Sequence, residues 1–250
     1  MALLHKATLR PTKLELLAAW LPGREWYDGP AGEVLRVASY RFDDPADAVG
    51  IETMLVRVGD GPVHQVPLTY RDAPLPDGED RLLGTAEHSV LGRRWIYDGP
   101  GDPAYAAALA SAILDDTGQA EQVVAGVDGR LERREPDMSI ASGTGGAVGG
   151  TAGGMVMGTV RGAAGGVKAA AAGAIRRVVE GDPTLIVTDT VELDVVRRLD
   201  AGTGLTGAVL TGSWPGRAAA VPLAAARPRS AADLGRSAGS RADADPGDYV

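Results

Sequence analysis

Residues 87–89 place a carboxylate, an imidazole and a hydroxyl in direct succession, the three groups that hydrolases combine into a catalytic triad. In an extended chain, neighbouring side chains point to opposite faces. Glu87, His88 and Ser89 therefore cannot form one triad. The Gly-x-Ser-x-Gly turn that exposes a nucleophilic serine is also absent from the sequence. We predict no catalytic residue from this motif.

The histidines indicate structural roles rather than metal binding. The chain has three histidines and no cysteine, and only His64 and His88 lie inside the part of the chain that is rich in predicted strands. Neither belongs to a spaced set of His and carboxylate ligands, which a metal site requires. We interpret both as structural histidines, and we predict no metal and no cofactor.

Aromatic side chains are the other candidates, because their faces complement the apolar faces of sugar rings. The residues in question are Trp20, Trp26, Tyr27, Tyr70, Trp95 and Tyr97. Core packing is the competing role, and we favour it for most of them because the chain has few other large side chains. As a candidate surface for a protein partner or a sugar we retain Trp20, Trp26, Tyr70, His88 and Trp95.

Charge and composition exclude several classes of protein. The net charge is −8, and no basic run is longer than a pair, which argues against nucleic acid as a partner. Without cysteine there are no disulfides. Residues 1–6 do not begin a secretory signal, so we expect a cytoplasmic protein with no membrane partner. The acidic groups Asp43-Asp44 and 77–80 are interpreted as solvated turn charges.

A glycine-rich tract covers residues 139–166, where glycine recurs at every fourth position from Gly146 to Gly166. Small residues at this spacing let two helices approach closely in a membrane. Each glycine inside a helix costs roughly 1 kcal/mol relative to alanine, so we favour a flexible linker. The tract is not a P-loop, because the sequence contains no Gly-Lys pair.

The elements that position these residues are mostly extended. Thr12 and Glu15 have the spacing of a capping box, which predicts a short helix over 13–20. Asp102 and Pro103 predict the start of a second helix that ends near residue 117. Alternating apolar residues predict strands over 3–10, 33–42, 51–58, 63–71, 93–97, 120–127, 175–179, 184–187, 191–197, 207–214 and 218–225. Antiparallel strands with few helices indicate an α+β fold.

Several strings in the first 115 residues resemble the actinobacterial maltokinase N-terminal cap family. They are His5–Thr8, Lys13–Pro22, Trp26-Tyr27, Val49–Glu52, Val66–Arg71 and Gly84–Gly99. Free-standing members of that family are often labelled 1,4-alpha-glucan branching proteins. The resemblance implies a cystatin-like cap, which is a curved antiparallel sheet with one or two packed helices.

In a maltokinase the cap precedes a kinase body that binds ATP and magnesium and phosphorylates maltose. This chain departs from that pattern, because no histidine follows residue 115 and a His-x-Asp catalytic loop is therefore absent. The resemblance thus implies a fold and a link to maltose and alpha-glucan metabolism, but it implies no catalytic residue.

These observations predict a domain organisation. We expect a cap-like domain over 1–135 and a Gly/Ala-rich linker over 136–168. Additional antiparallel strands over 169–226 are expected to complete the first sheet, and residues 227–250 are expected to form a disordered tail.

Three functions remain open. The first is a non-catalytic accessory or regulatory module of maltose, trehalose and glycogen metabolism that binds a protein partner, such as a sugar kinase or a glucan-metabolising enzyme. The second is a sugar kinase or glucan-branching enzyme, and the third is a module that binds an oligosaccharide.

Overall fold

A computed structural model describes residues 2–4, 8–125, 131–144, 172–202 and 204–229. The glycine tract from residue 145 onward and most of the predicted tail lie outside the described residues, so the choice between linker and membrane segment is not tested there. No helix within the described ranges is both long and apolar enough to cross a membrane.

The described residues form two α-helices, α1 (Lys13–Trp20) and α2 (Pro103–Leu114). The strands of the first part are β1 (Ala2–Leu4), β2 (Leu9–Arg10), β3 (Val34–Phe42), β4 (Gly50–Val58), β5 (His64–Arg71), β6 (Leu82–His88) and β7 (Gly92–Asp98). The strands of the second part are β8 (Gln122–Ala125), β9 (Leu131–Arg134), β10 (Ser139–Thr144), β11 (Ile175–Val179), β12 (Thr184–Thr188), β13 (Val191–Val195), β14 (Ala208–Trp214) and β15 (Arg217–Pro228). No sequence pattern predicts β6, β9 or β10.

The first sheet is antiparallel and six-stranded, in the order β2-β6-β7-β5-β4-β3. It curls into a half-barrel. Helix α1 packs on its inner face through Leu17 and Trp20, which join Met54, Val56 and Leu68 in one apolar cluster. The prediction of an α+β fold built on a curved antiparallel sheet is confirmed.

The capping box predicted for α1 is present. The Thr12 hydroxyl accepts a hydrogen bond from the Glu15 backbone N–H at 3.2 Å, and the Glu15 carboxylate accepts one from the Thr12 backbone N–H at 2.7 Å. These bonds satisfy two of the donors that a helix start leaves unpaired. They fix where α1 begins, at one end of the inner face of the sheet.

The strands of the second part form a sheet of their own, in the order β10-β14-β15-β13-β12-β11. The expectation that they complete the first sheet is therefore wrong. Strand β10 is an edge of this second sheet and lies within residues 136–168, where the sequence predicts a linker. A third, small sheet has the order β1-β8-β9. The domain boundaries themselves stay a prediction.

Most of the surface of helix α2 is buried, and both sheets contribute to covering it. Seven of its residues are buried: Tyr105, Ala106, Ala108, Leu109, Ala110, Ala112 and Ile113. A helix that is apolar on most of its surface requires a covering layer on more than one side. The cluster around α2 accordingly contains Tyr40 and Leu55 from the first sheet and Leu193 and Leu223 from the second.

Polar groups also join the two sheets. The Arg197 guanidinium donates to both carboxylate oxygens of Asp98 at 2.8–3.0 Å, and both side chains are almost fully buried. The Gln65 side-chain amide donates to the backbone carbonyls of Val196 and Leu223, both at 2.9 Å. Because these bonds run between the sheets, they fix one relative position of the two layers.

Candidate functional site

The inner face of the first sheet is only partly covered by α1. A helix of 8 residues is about 12 Å long, whereas a strand of 9 residues such as β4 extends over about 30 Å. Along β4 the alternation places Glu52, Met54 and Val56 on the inner face. Met54 and Val56 pack in the α1 cluster, and Glu52 lies beyond it, where the face becomes polar.

A cavity of about 930 Å³ opens at this uncovered end. A neighbouring cavity of about 860 Å³ lies beside the start of α1. The two share Leu9, Lys13, Arg36 and Glu52 as lining residues. We call the larger cavity the mouth of the half-barrel. Its volume falls within the range of small-molecule sites.

Glu52 lines both cavities and is 5% exposed. All of its contacts fall on one carboxylate oxygen, Oε2. That atom accepts hydrogen bonds from the Lys13 ammonium and from the Tyr70 hydroxyl, the latter at 2.8 Å, and it forms an ion pair with Arg41 at 2.9 Å. Within the described part of the chain, Oε1 accepts no hydrogen bond.

The electrostatics of this cluster keep Glu52 ionised. Burial alone would raise the pKa of Glu52, but the positive charges of Arg41 and Lys13 outweigh it and hold that pKa at about 2. Burial lowers the pKa of Lys13, which the charge of Glu52 partly offsets. Burial and the neighbouring Glu52 charge raise the pKa of Tyr70 well above its usual value, so Tyr70 stays a hydrogen-bond donor.

Further cations line the mouth. The Arg36 guanidinium donates to the Ser39 hydroxyl at 3.0 Å and forms an ion pair with Asp137. Arg134 contacts the same Asp137 at 3.5 Å. Arg94 lines the mouth from β7, and no carboxylate of the described residues lies within ion-pair distance of it.

Four aspartates also line the mouth, from the loops after β3 and β5. They are Asp43, Asp44, Asp47 and Asp72. The Asp44 carboxylate accepts backbone N–H groups of Ala46, Ala48 and Val49 at 2.9–3.1 Å. This aspartate therefore holds the loop between β3 and β4 in place.

The five residues retained from the sequence do not form one surface. Trp20 and Trp26 are 9% and 6% exposed and pack in the α1 cluster. Trp95 follows Arg94 on β7 and so lies on the opposite face of that strand. Tyr70 and His88 both line the mouth, so the structure brings these two together.

Residues 87–89 have separate partners. The Glu87 carboxylate accepts from Arg93 at 2.8 Å, and His88 Nδ1 accepts the backbone N–H groups of Val90 and Leu91. The Ser89 hydroxyl accepts the Thr8 backbone N–H at 3.1 Å. Each side chain supports a turn or a strand end. No group of three or more potential ligands is placed to hold a metal ion among the described residues.

Sequence reasoning missed Lys13, Arg36, Arg41, Glu52 and Arg94. A signal was present, because Glu52 alternates with Met54 and Val56 in a strand whose inner face is otherwise apolar. A carboxylate at such a position needs a cation. The sequence does not indicate which of its cations lies opposite.

Residues 20–102 match the family model described as the maltokinase N-terminal cap domain. The match includes most of the first sheet and four of the five residues that sequence reasoning missed, but it excludes Lys13 and the second sheet. No curated protein matches the chain. The resemblance carried by the sequence strings is confirmed over the matched range, and residues 20–102 are similar to the maltokinase N-terminal cap domain.

Proposed function

We propose that this chain is a non-catalytic accessory or regulatory module of maltose and alpha-glucan metabolism, including the glycogen and trehalose branches. It acts in the cytoplasm by binding a protein partner, such as a sugar kinase or a glucan-metabolising enzyme. The match to the cap domain ties residues 20–102 to the maltose and glucan theme. The mode of action is our inference.

The observation that carries this proposal is what the cap is joined to. In this chain the cap shares its core with a second antiparallel sheet, through α2 and the Arg197–Asp98 pair. No histidine follows residue 115, so the His-x-Asp loop of a kinase is absent from the sequence. A cap that shares its core with a second sheet, and not with a kinase body, supports a binding role without phosphoryl transfer.

The buried carboxylates support the non-catalytic role. Asp102 accepts two hydrogen bonds from Arg71 at 2.6 and 2.7 Å, Asp98 is bound by Arg197, and Glu52 by Lys13 and Arg41. A general acid must hold a proton near the working pH, whereas the pKa of Glu52, which burial alone would raise, is held at about 2 by Arg41 and Lys13. These groups are suited to holding the fold.

The test combines two assays on the full chain. ADP release with ATP and maltose, and branching of an alpha-glucan, should both stay at the level of a blank without protein. Calorimetric titration into a purified maltokinase and into a purified branching enzyme should show a complex with one of them. ATP-dependent maltose phosphorylation that Glu52→Gln abolishes would overturn the non-catalytic role. If neither enzyme forms a complex with the chain, the proposed partner classes are overturned.

The cavity favours a second candidate, an oligosaccharide-binding module, because Tyr70 and His88 both line it. Tryptophan fluorescence titrated with maltose and maltooligosaccharides tests this candidate. A saturable change that Tyr70→Ala removes would support it. No response up to millimolar sugar would exclude it.

A further inference from the structure

Lys13 is the only lysine within the described residues, and its amine lies inside the half-barrel. It is the first residue of α1 and lines both cavities. The mouth as a whole is balanced in charge, since as many carboxylates as cations line it. The chemical character of Lys13 is therefore set by the groups that lie directly around its amine.

Groups of both signs surround the Lys13 ammonium. The Glu52 carboxylate on β4 accepts a hydrogen bond from it, and the Tyr70 ring on β5 lies with its centroid 5.2 Å from Nζ. The guanidinium groups of Arg36 and Arg41 on β3 also act on Lys13, and their charges disfavour the ammonium form. Arg41 contacts the same Glu52 oxygen as Lys13, so two cations share one acceptor.

This arrangement increases the share of free amine at Lys13. Burial is the largest cause, and together with Arg41 and Arg36 it outweighs Glu52, so that the pKa of Lys13 lies below its usual value. The positive end of the helix dipole at the start of α1 acts in the same direction. A desolvated lysine beside another cation is one arrangement that activates an amine for attack on a carbonyl carbon.

The amine is also accessible to a small molecule. The Lys13 side chain is 29% exposed, and the mouth has a volume of about 930 Å³, which is sufficient for a small ligand. The Tyr70 hydroxyl donates to the same Glu52 oxygen that Lys13 contacts. A hydroxyl group therefore lies close to the nitrogen, where it can donate a hydrogen bond to a departing oxygen.

We propose that Lys13 forms an imine with a small polar aldehyde that enters the mouth. A bond forms between Nζ and the carbonyl carbon, and the carbonyl oxygen leaves as water with two protons from the ammonium nitrogen. An ammonium and an aldehyde thus give an iminium and one water, with no change in net charge. Glu52 keeps both of its cations, whereas acylation would remove the charge of Lys13 beside a buried carboxylate. This assignment does not depend on the protein partner proposed above.

Reductive trapping on the full chain at pH 7 tests the assignment. Glycolaldehyde with sodium cyanoborohydride converts an imine into a stable secondary amine, which peptide mass spectrometry locates. The chain has three lysines, Lys6, Lys13 and Lys168, and they should react alike in guanidinium chloride. In the folded chain Lys13 should react several-fold faster than in the unfolded chain, with Lys6 and Lys168 as internal references. An equal or slower reaction of Lys13 in the folded chain would overturn the proposal.

Two substitutions should change the rate at Lys13 in opposite directions. Arg41→Gln removes a charge that lowers the pKa of Lys13, so trapping should slow several-fold. Glu52→Gln removes the charge that raises this pKa, so trapping should become faster. Arg93→Gln is the control and should leave the rate unchanged, because Arg93 forms an exposed pair with Glu87.

The outcome of these variants decides whether the groups around the amine activate it. Rates that change in the same direction in Arg41→Gln and Glu52→Gln, or that do not change in either, would contradict the proposal. Arg41→Gln keeps the test decisive if Glu52→Gln does not fold. The pH dependence of trapping provides a separate readout, since the rate at Lys13 should rise at lower pH than the rates at Lys6 and Lys168. Identical pH profiles for the three lysines would overturn the assignment.

Discussion

The two buried carboxylates of the first sheet, Asp98 and Glu52, are both neutralised by cations but in different ways. Asp98 uses both of its oxygens on Arg197, whose side chain is 0% exposed and stacks over the Trp26 ring at 4.5 Å. Glu52 uses one oxygen on several partners and lines an open cavity. One ion pair is enclosed by the protein, and the other borders a cavity.

This difference shows how the same residue types serve two purposes. A buried pair with satisfied geometry contributes little relative to an apolar pair, but removal of one partner leaves an uncompensated charge and is strongly destabilising. At Asp98 that property fixes the two sheets against each other. At Glu52 the charges of Arg41 and Lys13 keep a buried carboxylate ionised beside a cavity.

The largest effect is expected at the closed pair. Asp98→Asn leaves the buried Arg197 without its counter-charge, so the free energy of unfolding should fall by about 3–5 kcal/mol. Urea unfolding followed by tryptophan fluorescence measures this change. The double variant Asp98→Leu with Arg197→Met serves as control and should recover part of the loss. A decrease below about 1 kcal/mol in Asp98→Asn would mean that the pair does not hold the sheets together.

The next largest effect is expected from acid, which protonates Glu52 and so weakens its ion pairs with Lys13 and Arg41. The pKa of Glu52 lies at about 2 in the folded chain against an ordinary value of 4.5. A depressed folded-state pKa gives stability that is fully present above pH 4.5 and is lost as the pH falls towards 2. This contribution is on the order of 3 kcal/mol. Unfolding free energies measured from pH 5 to pH 2 should fall more steeply in wild type than in Glu52→Gln. Parallel curves would contradict the assignment.

A smaller effect is expected at the start of α1, beside the mouth. Thr12→Ala removes the hydroxyl that accepts the Glu15 backbone N–H, so stability should fall by about 1 kcal/mol. Thr12→Ser keeps that acceptor and should stay close to wild type in the same thermal or urea unfolding experiment. Equal losses in the two variants would show that the hydroxyl bond is not the cause.

Local elements could be predicted from the sequence because their signals are local. The capping box of Thr12 and Glu15 and the Asp102–Pro103 start of α2 each lie within a few residues. Strand β6 was missed because Gly84 and Ala86 replace the large apolar residues of an alternating strand, and β10 because its glycine and serine resemble a linker.

Long-range pairing could not be predicted in the same way. Asp98 and Arg197 are 99 residues apart, and Lys13 and Glu52 are 39 apart. Composition and periodicity indicate that a strand is buried, but they do not identify the sheet that it joins. For this reason the sequence does not separate the strands of the second part from the first sheet, and it does not predict the cluster around Glu52. The cap itself was recognised from its sequence strings.

The comparison between the closed pair and the open cluster is tested most directly by measuring stability at two pH values in the same two variants. Urea unfolding of wild type, Asp98→Asn and Glu52→Gln is followed by tryptophan fluorescence at pH 7 and at pH 3. We predict that Asp98→Asn loses about 3–5 kcal/mol at pH 7, whereas Glu52→Gln removes much of the decrease that wild type shows at pH 3. Unchanged stability of Asp98→Asn, or an acid-induced decrease in Glu52→Gln as large as in wild type, would contradict the account.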